Sequence, residues 1–262
     1  MRLDKFLADM NKGTRKELKR LVRQGRVAVN GVTATNSGMA VNESDCIEVD
    51  GESVVYAKYE YYVMNKPQGV ITATEDSRQD TVLDLMEENR RKDLFPVGRL
   101  DKDTVGLLLI TNDGDLNHRL LSPKKHVDKE YVAKISGRVT EEDVKTFAKG
   151  VFIEDGFRAL PAELKILSYR EKATAEDLAD VEHSNAPQKH LSQGITEISI
   201  VIHEGKYHQV KKMFHAIGKE VFFLKRIRMG TLLLDEELAE GTYRKLTADE
   251  LSGLMRITCK EK

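Results

Sequence analysis

The sequence predicts an α+β protein with a small N-terminal domain and a larger C-terminal domain. Segments with helical spacing of apolar residues alternate with segments rich in β-branched and aromatic residues, which is typical of this class. The 262 residues suffice for one large domain and a small one. The composition changes near residues 54–60, where an acidic stretch gives way to VVYAKYEYYVMNKPQGVITA. We therefore expect a linker there, with domains over residues 1–57 and 58–262.

Composition favours a globular protein of the cytoplasm. Apolar residues make up 40% and charged residues 32% of the chain, and no stretch approaches the ~18 consecutive apolar residues of a membrane span. The N-terminus is charged throughout and lacks the apolar core of a secretory signal. The two cysteines, Cys46 and Cys259, stand far apart in the sequence, which supports neither a disulfide framework nor a zinc pair.

Charge is segregated along the chain, although the formal net charge is only −1. Residues 1–30 contain nine Lys and Arg against three Asp and Glu, and residues 203–230 contain seven against two. Residues 41–53 contain five acidic residues and no base. Two local basic patches on a nearly neutral chain are suited to binding a polyanion such as nucleic acid.

The first basic segment predicts two amphipathic helices and a hairpin. Thr14 and Glu17 have capping-box spacing, so a helix should begin near Arg15 and end near Gly25. Its two faces differ: one carries Leu18, Leu21 and Val22, and the other carries the cations Lys16, Lys19, Arg20 and Arg23. A short helix over Leu3, Phe6, Leu7 and Met10 precedes it, and an Asn30-Gly31 hairpin turn follows. At this point the cations fit an ordinary solvated helix face as well as an RNA-binding face.

The rest of the chain predicts alternating strands and helices. We expect strands in VGRLDKDTVGLLLITNDG, KEYVAKISG and TEISIVIHEG, and helices in TEEDVKTFAKG and KYHQVKKMFHAIG, the last ended by Gly218. We also expect a helix in TVLDLMEENRR, whose partly inward residues are Val82, Leu83, Leu85 and Met86. Residues 168–196 are polar and acidic, which predicts a loop or a mobile hairpin.

Two carboxylates, Asp101 and Asp103, stand just before the apolar run from Leu107 to Ile110. A calcium loop would need ligands where Val105 and Asn112 stand, and a glycosidase pair would be expected beside sugar-binding aromatics, whereas the chain has no Trp. A zinc site in HEGKYH is disfavoured because its histidines are five residues apart and would diverge on a helix. Taken alone, the carboxylates are explained equally well by turn capping.

Longer motifs carry a resemblance to a known family. GRLDKDTVGLLLITNDG resembles the signature of the pseudouridine synthases, and YYVMNKPQGVI, KEYVAKISG and EGKYHQVKKMFHAIG resemble its satellite motifs in the same order. MRLDKFLA…TRKELKRLVRQGRVAVNG resembles the S4 RNA-binding module over about residues 1–50. Together they are similar to bacterial ribosomal RNA pseudouridine synthases of the small-subunit type. The resemblance implies a catalytic domain on a mixed, largely antiparallel sheet, with an S4 domain before it.

The resemblance also implies roles for individual residues. Asp101 matches the catalytic aspartate, Tyr131 the tyrosine that stacks on the uracil, and Lys211 the cation that pairs with the aspartate. Arg99 matches the residue that fills the gap left by a flipped nucleotide, although an ion pair with Asp103 is its alternative. The residues implied to contact RNA are Arg99, Lys16, Lys19, Arg20, Arg23, Lys66, Lys206 and Lys212, with Lys66 and Pro67 also shaping the pocket floor.

The implied reaction turns a uridine into pseudouridine without a redox step, and no metal or organic cofactor is implied. The expected partner of this monomer is small-subunit (16S) ribosomal RNA or its assembly intermediate. Two alternatives stay open, which are the same reaction on large-subunit (23S) RNA and a non-catalytic S4-type RNA-binding protein. A carboxylate-pair glycoside hydrolase is a more remote third.

Overall fold

The chain forms two compact units in a computed structural model that describes residues 1–87, 90–153, 156–182 and 193–259. Met1–Glu60 and Met86–Leu94 make up the first unit, and Tyr61–Leu85 and Phe95–Lys262 the second. Arg91, which is buried, donates to the carbonyl of Ala57 and so ties the second segment of the first unit to its first segment. The sequence did not predict this return, and the boundary between residues 57 and 58 stays a prediction.

The first unit has two helices packed on a small sheet. Its elements are α1 (Leu3–Asp9), α2 (Arg15–Arg23), β1 (Val27–Val29), β2 (Val32–Thr33), β3 (Ile47–Val49) and β4 (Glu52–Val54). The strand order is β2-β1-β3-β4, with every pair antiparallel. The predicted capping box of Thr14 and Glu17 is confirmed, as is the hairpin turn, where Asn30 and Gly31 have φ of 51° and 78°. Both local signals therefore determine the structure around them.

The second unit is built on a mixed sheet. Its strands are β5 (Tyr61–Lys66), β6 (Phe95–Pro96), β7 (Val105–Thr111), β8 (Lys129–Ser136), β9 (Phe152–Ile153), β10 (Phe157–Arg158), β11 (Glu163–Arg170), β12 (Ile195–Ile202), β13 (Val221–Met229), β14 (Leu232–Leu233) and β15 (Tyr243–Lys245). Its helices are α3 (Gly114–Leu121), α4 (Glu141–Lys149), α5 (Ala175–Glu182), α6 (Gln209–His215) and α7 (Ala248–Cys259), with a 3₁₀ turn at Pro123–Lys125. The helices predicted over TEEDVKTFAKG and KYHQVKKMFHAIG correspond to α4 and α6, and the predicted strands to β7, β8 and β12.

The order of the main sheet brings distant segments side by side. It runs β11-β12-β8-β13-β7-β5-β15, while β9 and β10 pair with each other. β7 and β13 are parallel, and the other neighbours along this path are antiparallel. Val105, Lys225 and Val132 consequently lie in one row across β7, β13 and β8. The loop before β7 and the residues around Tyr131 on β8 therefore meet at the same part of the sheet.

β7 is buried along its whole length, as the apolar run predicted. Leu107 and Leu109 join Val63 of β5 and Leu116 and Leu120 of α3 in an apolar core. α3 begins at an Asp113 cap, whose carboxylate accepts from the N–H of Leu116. The strand thus fixes both the loop that precedes it and the helix that follows it.

The predicted helix over TVLDLMEENRR is wrong in its described part, residues 81–87 and 90–91, which form turns. Thr81 pairs with Ile71 in an isolated bridge, and the N–H of Val82 donates to the carbonyl of Ile71. Val82 and Leu83 are buried in this turn structure. A pairing ten positions away in the chain therefore overrides the local apolar spacing.

Residues 168–196 were predicted as a loop or a mobile hairpin. Residues 168–170 pair antiparallel with residues 195–197, as the hairpin alternative requires, whereas residues 175–182 form a helix that was not predicted. Helix α5 is held by its acidic side chains. Lys134 of β8 contacts Glu176 and Asp180 at 2.7 Å each, and Arg170 forms an ion pair with fully buried Asp177. Burial alone would raise the pKa of Asp177, but hydrogen bonds from Arg170 and Thr174 lower it to about 2. Residues 183–192 of the predicted loop lie outside the described residues.

No helix in the described ranges combines the length and the apolar character that a bilayer span needs.

Candidate active site

The loop before β7 is held in one conformation by hydrogen bonds from beneath. The Thr72 hydroxyl donates to the carbonyl of Leu100 at 2.8 Å and accepts from its N–H at 3.2 Å. The N–H of Gly69 donates to the carbonyl of Lys102 at 3.0 Å. The N–H of Thr104 closes a turn on the carbonyl of Asp101 at 3.1 Å. The side chains of Asp101 and Asp103 are therefore attached to a backbone that is held in place.

Lys66 is part of this support and is completely buried. Its Nζ donates to the carbonyls of Pro67, Lys102 and Thr104 at 3.0, 3.3 and 2.9 Å. Burial lowers the pKa of the Lys66 ammonium to about 8, and the charges of Asp103 and Asp101 oppose that shift. Its placement among the RNA-contacting residues is thereby corrected, because the ammonium clamps the loop and has no exposed surface. Its place beneath the pocket agrees with the expected floor.

Two carboxylates share one ammonium above this loop. Lys211 Nζ lies 2.5 and 2.7 Å from the two carboxylate oxygens of Asp103 and 3.8 Å from Oδ2 of Asp101. His208 Nε2 lies 3.5 Å from Oδ1 of Asp101. About a quarter of each of the side chains of Asp101 and Lys211 is exposed, at 24%. The arrangement keeps Asp101 within reach of solvent-borne ligands and beside a cationic side chain.

Lys211 and His208 reach Asp101 because His208 is the N-cap residue of α6 and Lys211 lies in the first turn of that helix. His208 caps the helix with φ of 53°, in the left-handed region, and Gln209 fixes the turn before it. Gln209 is buried, donates to Oε1 of Glu204 at 2.7 Å and accepts from the N–H of Lys206 at 3.0 Å. The predicted helix KYHQVKKMFHAIG therefore starts at its fourth residue, and the first three form a rigid turn.

Tyr131 completes the pocket. It lies on β8, opposite Arg226 of β13, and only 7% of its surface is exposed. It lines one pocket with Arg99, Asp101 and Lys211, and Leu224 and Ile202 supply the apolar wall. An aromatic ring, a carboxylate and an ammonium thus face the same small space, in which a flat polar ring could be held.

A wider cleft of about 660 Å³ opens outward from this pocket. Arg99, Asp101, Lys206 and His208 line both, whereas Lys102 and Tyr207 line the cleft alone. Arg99 is exposed, and the carboxylate expected as its alternative partner, Asp103, is paired with Lys211. This volume is in the range of ligand sites. The charged side chains that line the cleft are four cations, Arg99, Lys102, Lys129 and Lys206, and two carboxylates, Asp76 and Asp101.

The remaining predicted cations lie near this cleft or on the first unit. Lys206 is exposed and its Nζ stands over the ring of Phe157, and Lys212 Nζ lies 5.6 Å from the ring centre of Tyr207. On α2, Leu18 and Val22 are buried, and the opposite face is exposed along its length through Lys16, Lys19, Arg20 and Arg23. The predicted division of this helix into an apolar and a cationic face is confirmed.

The sequence did not reveal the partnership of Asp103 with Lys211 or the position of His208. Its spacing suggested His208 only as a zinc ligand with His203, but His203 Nδ1 contacts Asp128 at 2.9 Å while His208 faces Asp101. The available signal was the YH pair directly before QVKKM. A residue that begins the helix carrying Lys211 has to lie near the same carboxylates.

The chain is similar to known proteins along nearly its whole length. The family of RNA pseudouridylate synthases matches residues 60–216, and the S4 domain matches residues 1–47. The uncharacterized RNA pseudouridine synthase YtzG of Bacillus subtilis is 46% identical over 253 residues, which cover 96% of this chain and 97% of that protein. A crystal structure of a pseudouridylate synthase matches with a TM-score of 0.62 at 32% identity, covering 97% of this chain and 99% of that one.

Two relatives differ in the RNA that they are named for. The ribosomal small subunit pseudouridine synthase A of Vibrio cholerae is 37% identical over 98% of this chain and 100% of that protein. The ribosomal large subunit pseudouridine synthase B of Bacillus subtilis is 36% identical over 98% of this chain and 96% of that protein. Both matches run along nearly the whole length. The chain therefore belongs to the RNA pseudouridylate synthase family, with an N-terminal S4 domain, and is an isomerase that acts on RNA.

Proposed function

We propose that this protein converts one uridine of small-subunit ribosomal RNA to pseudouridine, with Asp101 as its catalytic carboxylate. The observation that carries the proposal is the meeting of Asp101, Tyr131 and Lys211 in one pocket, although they come from three separate segments of the chain. The reaction breaks the N1–C1′ bond, turns the uracil and forms a C5–C1′ bond. N1 gains a proton and C5 loses one, so the step needs no oxidant or reductant.

Each of the three residues has a distinct task in this proposal. Asp101 acts on the nucleoside through its carboxylate, with the Lys211 ammonium 3.8 Å away. Tyr131 stacks on the uracil, and its hydroxyl takes part in removing the C5 proton. Because Asp103 holds Lys211, the ammonium stays in place while Asp101 reacts.

The exposed cations would bind the RNA around the pocket. Arg99 fills the gap left when the uridine leaves its stack, and Lys206 and Lys212 contact phosphates near α6. In the S4 unit the cationic face of α2, formed by Lys16, Lys19, Arg20 and Arg23, binds structured RNA. The proposal includes that the enzyme acts as a monomer.

The small-subunit target is supported by full-length similarity to several proteins named small subunit pseudouridine synthase A, at 33–37% identity. The large-subunit enzyme of Bacillus subtilis is nearly as similar, at 36%. A substrate assay must therefore separate the two. Because ribosomal RNA is made and assembled in the bacterial cytoplasm, the proposal places the enzyme there.

The test is release of tritium from RNA labelled at C5 of uridine. Small-subunit and large-subunit transcripts and their assembly particles are incubated separately with wild type and with Asp101→Asn. Release from small-subunit RNA alone, lost in Asp101→Asn, is the expected result. Release from large-subunit RNA alone would reassign the substrate and keep the chemistry.

Two other results would point to other classes of protein. Tight RNA binding without tritium release from any substrate would favour a non-catalytic S4-type binding protein. Turnover of free glycosides that is lost in both Asp101→Asn and Asp103→Asn would favour a glycoside hydrolase.

A further inference from the structure

A pair of stacked rings lies on the outer cleft, beside the pocket that holds Tyr131. The ring centres of Tyr207 and His208 are 3.8 Å apart and the ring planes differ by 19°. Tyr207 remains 66% exposed, and it lines the outer cleft but not the inner pocket. A large aromatic side chain fixed by stacking and turned toward solvent is suited to receive a flat ligand.

The local structure holds this pair rigidly. His208 has a left-handed backbone conformation, which is unfavourable for a residue with a side chain, and its Nε2 lies 3.5 Å from Asp101. The turn that carries both rings is locked by buried Gln209 through its bonds to Glu204 and to the N–H of Lys206. The face that Tyr207 presents is therefore set before any ligand arrives.

The charges around Tyr207 indicate what kind of ligand it receives. Arg99, Lys102 and Lys206 line the same cleft and are all exposed. Lys212 Nζ also lies 5.6 Å from the centre of the Tyr207 ring. Aromatic rings flanked by cations bind single-stranded nucleic acid, since the rings stack on bases and the cations meet phosphates.

We propose that Tyr207, backed by His208, is the stacking platform for the nucleobase next to the target uridine. The inference rests on the proposed function, because it assumes that the target uracil occupies the inner pocket against Tyr131. In this proposal Tyr131 stacks on the target uracil in the pocket, and Tyr207 in the adjoining cleft stacks on a second base. Arg99 lines both the pocket and the cleft. In this proposal the RNA backbone passes Arg99 between the target uridine and the neighbouring nucleotide.

The affinity of RNA for two variants tests the platform. The probe is the shortest small-subunit fragment from which wild type releases tritium, and its Kd is measured by fluorescence anisotropy. We expect Tyr207→Leu to raise the Kd about tenfold, within the range typical for the loss of one base stack, and Tyr207→Phe to bind like wild type. The matched control is Phe152→Leu, since Phe152 is 67% exposed, also lies beside an arginine and lines neither the pocket nor the cleft.

The second part of the experiment keeps the Tyr207 ring and removes a base from the RNA. Two further RNAs lack the base on the 5′ or on the 3′ side of the target uridine. Wild type should bind one of these two RNAs about tenfold more weakly than the intact RNA. Tyr207→Leu should bind that RNA as tightly as it binds the intact RNA, because the base that the ring would contact is already absent. The inference is overturned if Tyr207→Leu binds the intact RNA like wild type, or if its loss is the same on both abasic RNAs.

Failure of the inference and failure of the proposed function give different results. Tritium release by wild type reports on the proposed function, whether or not Tyr207 stacks on a base. If wild type releases none, the affinities of the variants for the RNA that it binds still measure the contribution of the Tyr207 ring. A normal thermal unfolding temperature for Tyr207→Leu is expected because the side chain is mostly exposed.

Discussion

Lys211 contacts two carboxylates, and the nearer of them is not the one assigned to catalysis. Its Nζ is 2.5 Å from Asp103 but 3.8 Å from Asp101. A lysine side chain has a flexible four-carbon stem, so an ammonium that must remain near a reacting carboxylate benefits from a second anchor. Asp103 is that anchor in this structure.

Replacing Asp103 with asparagine should therefore reduce turnover more than binding. We expect the kcat of Asp103→Asn to fall about tenfold, equivalent to roughly 1.4 kcal/mol of lost transition-state stabilisation, with an unchanged Kd for RNA. Tritium release and anisotropy measure the two quantities. Asp115→Asn, an exposed carboxylate on α3, is the control. An Asp103→Asn enzyme with wild-type kcat would show that Lys211 needs no anchor.

Lys129 predicts a specific dependence of stability on pH. It is 6% exposed, and burial lowers its pKa from 10.5 to about 8 in the folded state. Between about pH 8 and 10.5 the unfolded chain thus binds more protons at this site than the folded chain. The contribution of Lys129 to the free energy of unfolding should then rise with pH across that window, by on the order of 3 kcal/mol.

Urea denaturation of wild type and Lys129→Met at a series of pH values measures this effect. The difference in unfolding free energy, wild type minus variant, should increase between about pH 8 and 10.5 and be constant at lower pH. A difference that stays constant across the window would mean that Lys129 titrates normally in the folded protein.

The residues of the pocket were predictable to different degrees. Asp101, Tyr131 and Lys211 followed from the resemblance, because each stands in a motif of its own. Lys66 was placed wrongly, since burial of an ammonium depends on carbonyls up to 38 positions away that no local pattern reveals. The preference of Lys211 for Asp103 likewise depends on side-chain geometry across 108 positions.

At the scale of elements, α2 shows a sharp division between its two faces. Leu18 and Val22 are buried, and the four cations of the opposite face, Lys16, Lys19, Arg20 and Arg23, are exposed. Thr14 and Glu17 satisfy the N-terminus of the helix, so its folding does not depend on the cations. The cationic face is consequently available for a partner.

Neutralising that face should weaken RNA binding without unfolding the protein. We expect the fourfold variant, with Gln at positions 16, 19, 20 and 23, to lower the affinity and to reduce the slope of log K against log salt by about one for each phosphate that the helix no longer neutralises. The melting temperature should stay within about 2 °C of wild type, as expected for exposed residues. Affinities at several salt concentrations provide the measurement.

The matched control replaces four exposed lysines of the second unit with glutamine, at positions 145, 149, 165 and 172. The total charge then changes equally in both variants. Equal losses of affinity would contradict a specific role for α2 and indicate a general electrostatic effect.

The parallel pair β7 and β13 depends on the absence of a side chain at Gly106. Its φ is +99°, and an added Cβ would lie 2.3 Å from the carbonyl oxygen of Arg226. We expect Gly106→Ala to separate the strands, to lower the free energy of unfolding by more than about 2 kcal/mol and to reduce activity through the loop of Asp101. Gly69→Ala is the control: its φ of +87° is similar, but among the described residues no heavy atom beyond its chain neighbours lies within 4 Å of the added Cβ.

Denaturant unfolding and tritium release compare the two glycine variants. The clash predicts a greater loss for Gly106→Ala than for Gly69→Ala in both measurements. Equal losses would attribute the whole effect to backbone strain and none to the close strand pairing.

The predictions for residues 81–85 and for helix α5 were wrong for the same reason. Residues 81–85 have apolar spacing but are fixed by pairing with Ile71. Helix α5 has a polar sequence but is stabilised by Lys134 and Arg170 from other strands. Contacts between distant segments decided both cases, whereas α2 carries its own cap and was predicted correctly.

At the scale of the whole molecule, the formal net charge is −1, but each of the two units carries its own group of exposed cations. The S4 unit presents the cations of α2, and the catalytic unit presents the cleft with Arg99, Lys102 and Lys206. Motif order predicted the two kinds of domain. The return of Met86–Leu94 to the first unit was not predictable, because it depends on buried contacts such as that of Arg91 with Ala57.

The proposed chemistry requires that Asp101 performs the isomerisation and does not merely help to bind RNA. The decisive experiment measures tritium release and RNA affinity in the same preparations of wild type and Asp101→Asn, with small-subunit RNA labelled at uridine C5. We predict that Asp101→Asn loses all measurable release and binds the RNA within about twofold of wild type, because the amide keeps the shape but not the charge. Release by Asp101→Asn at the wild-type rate would contradict a catalytic role for this carboxylate.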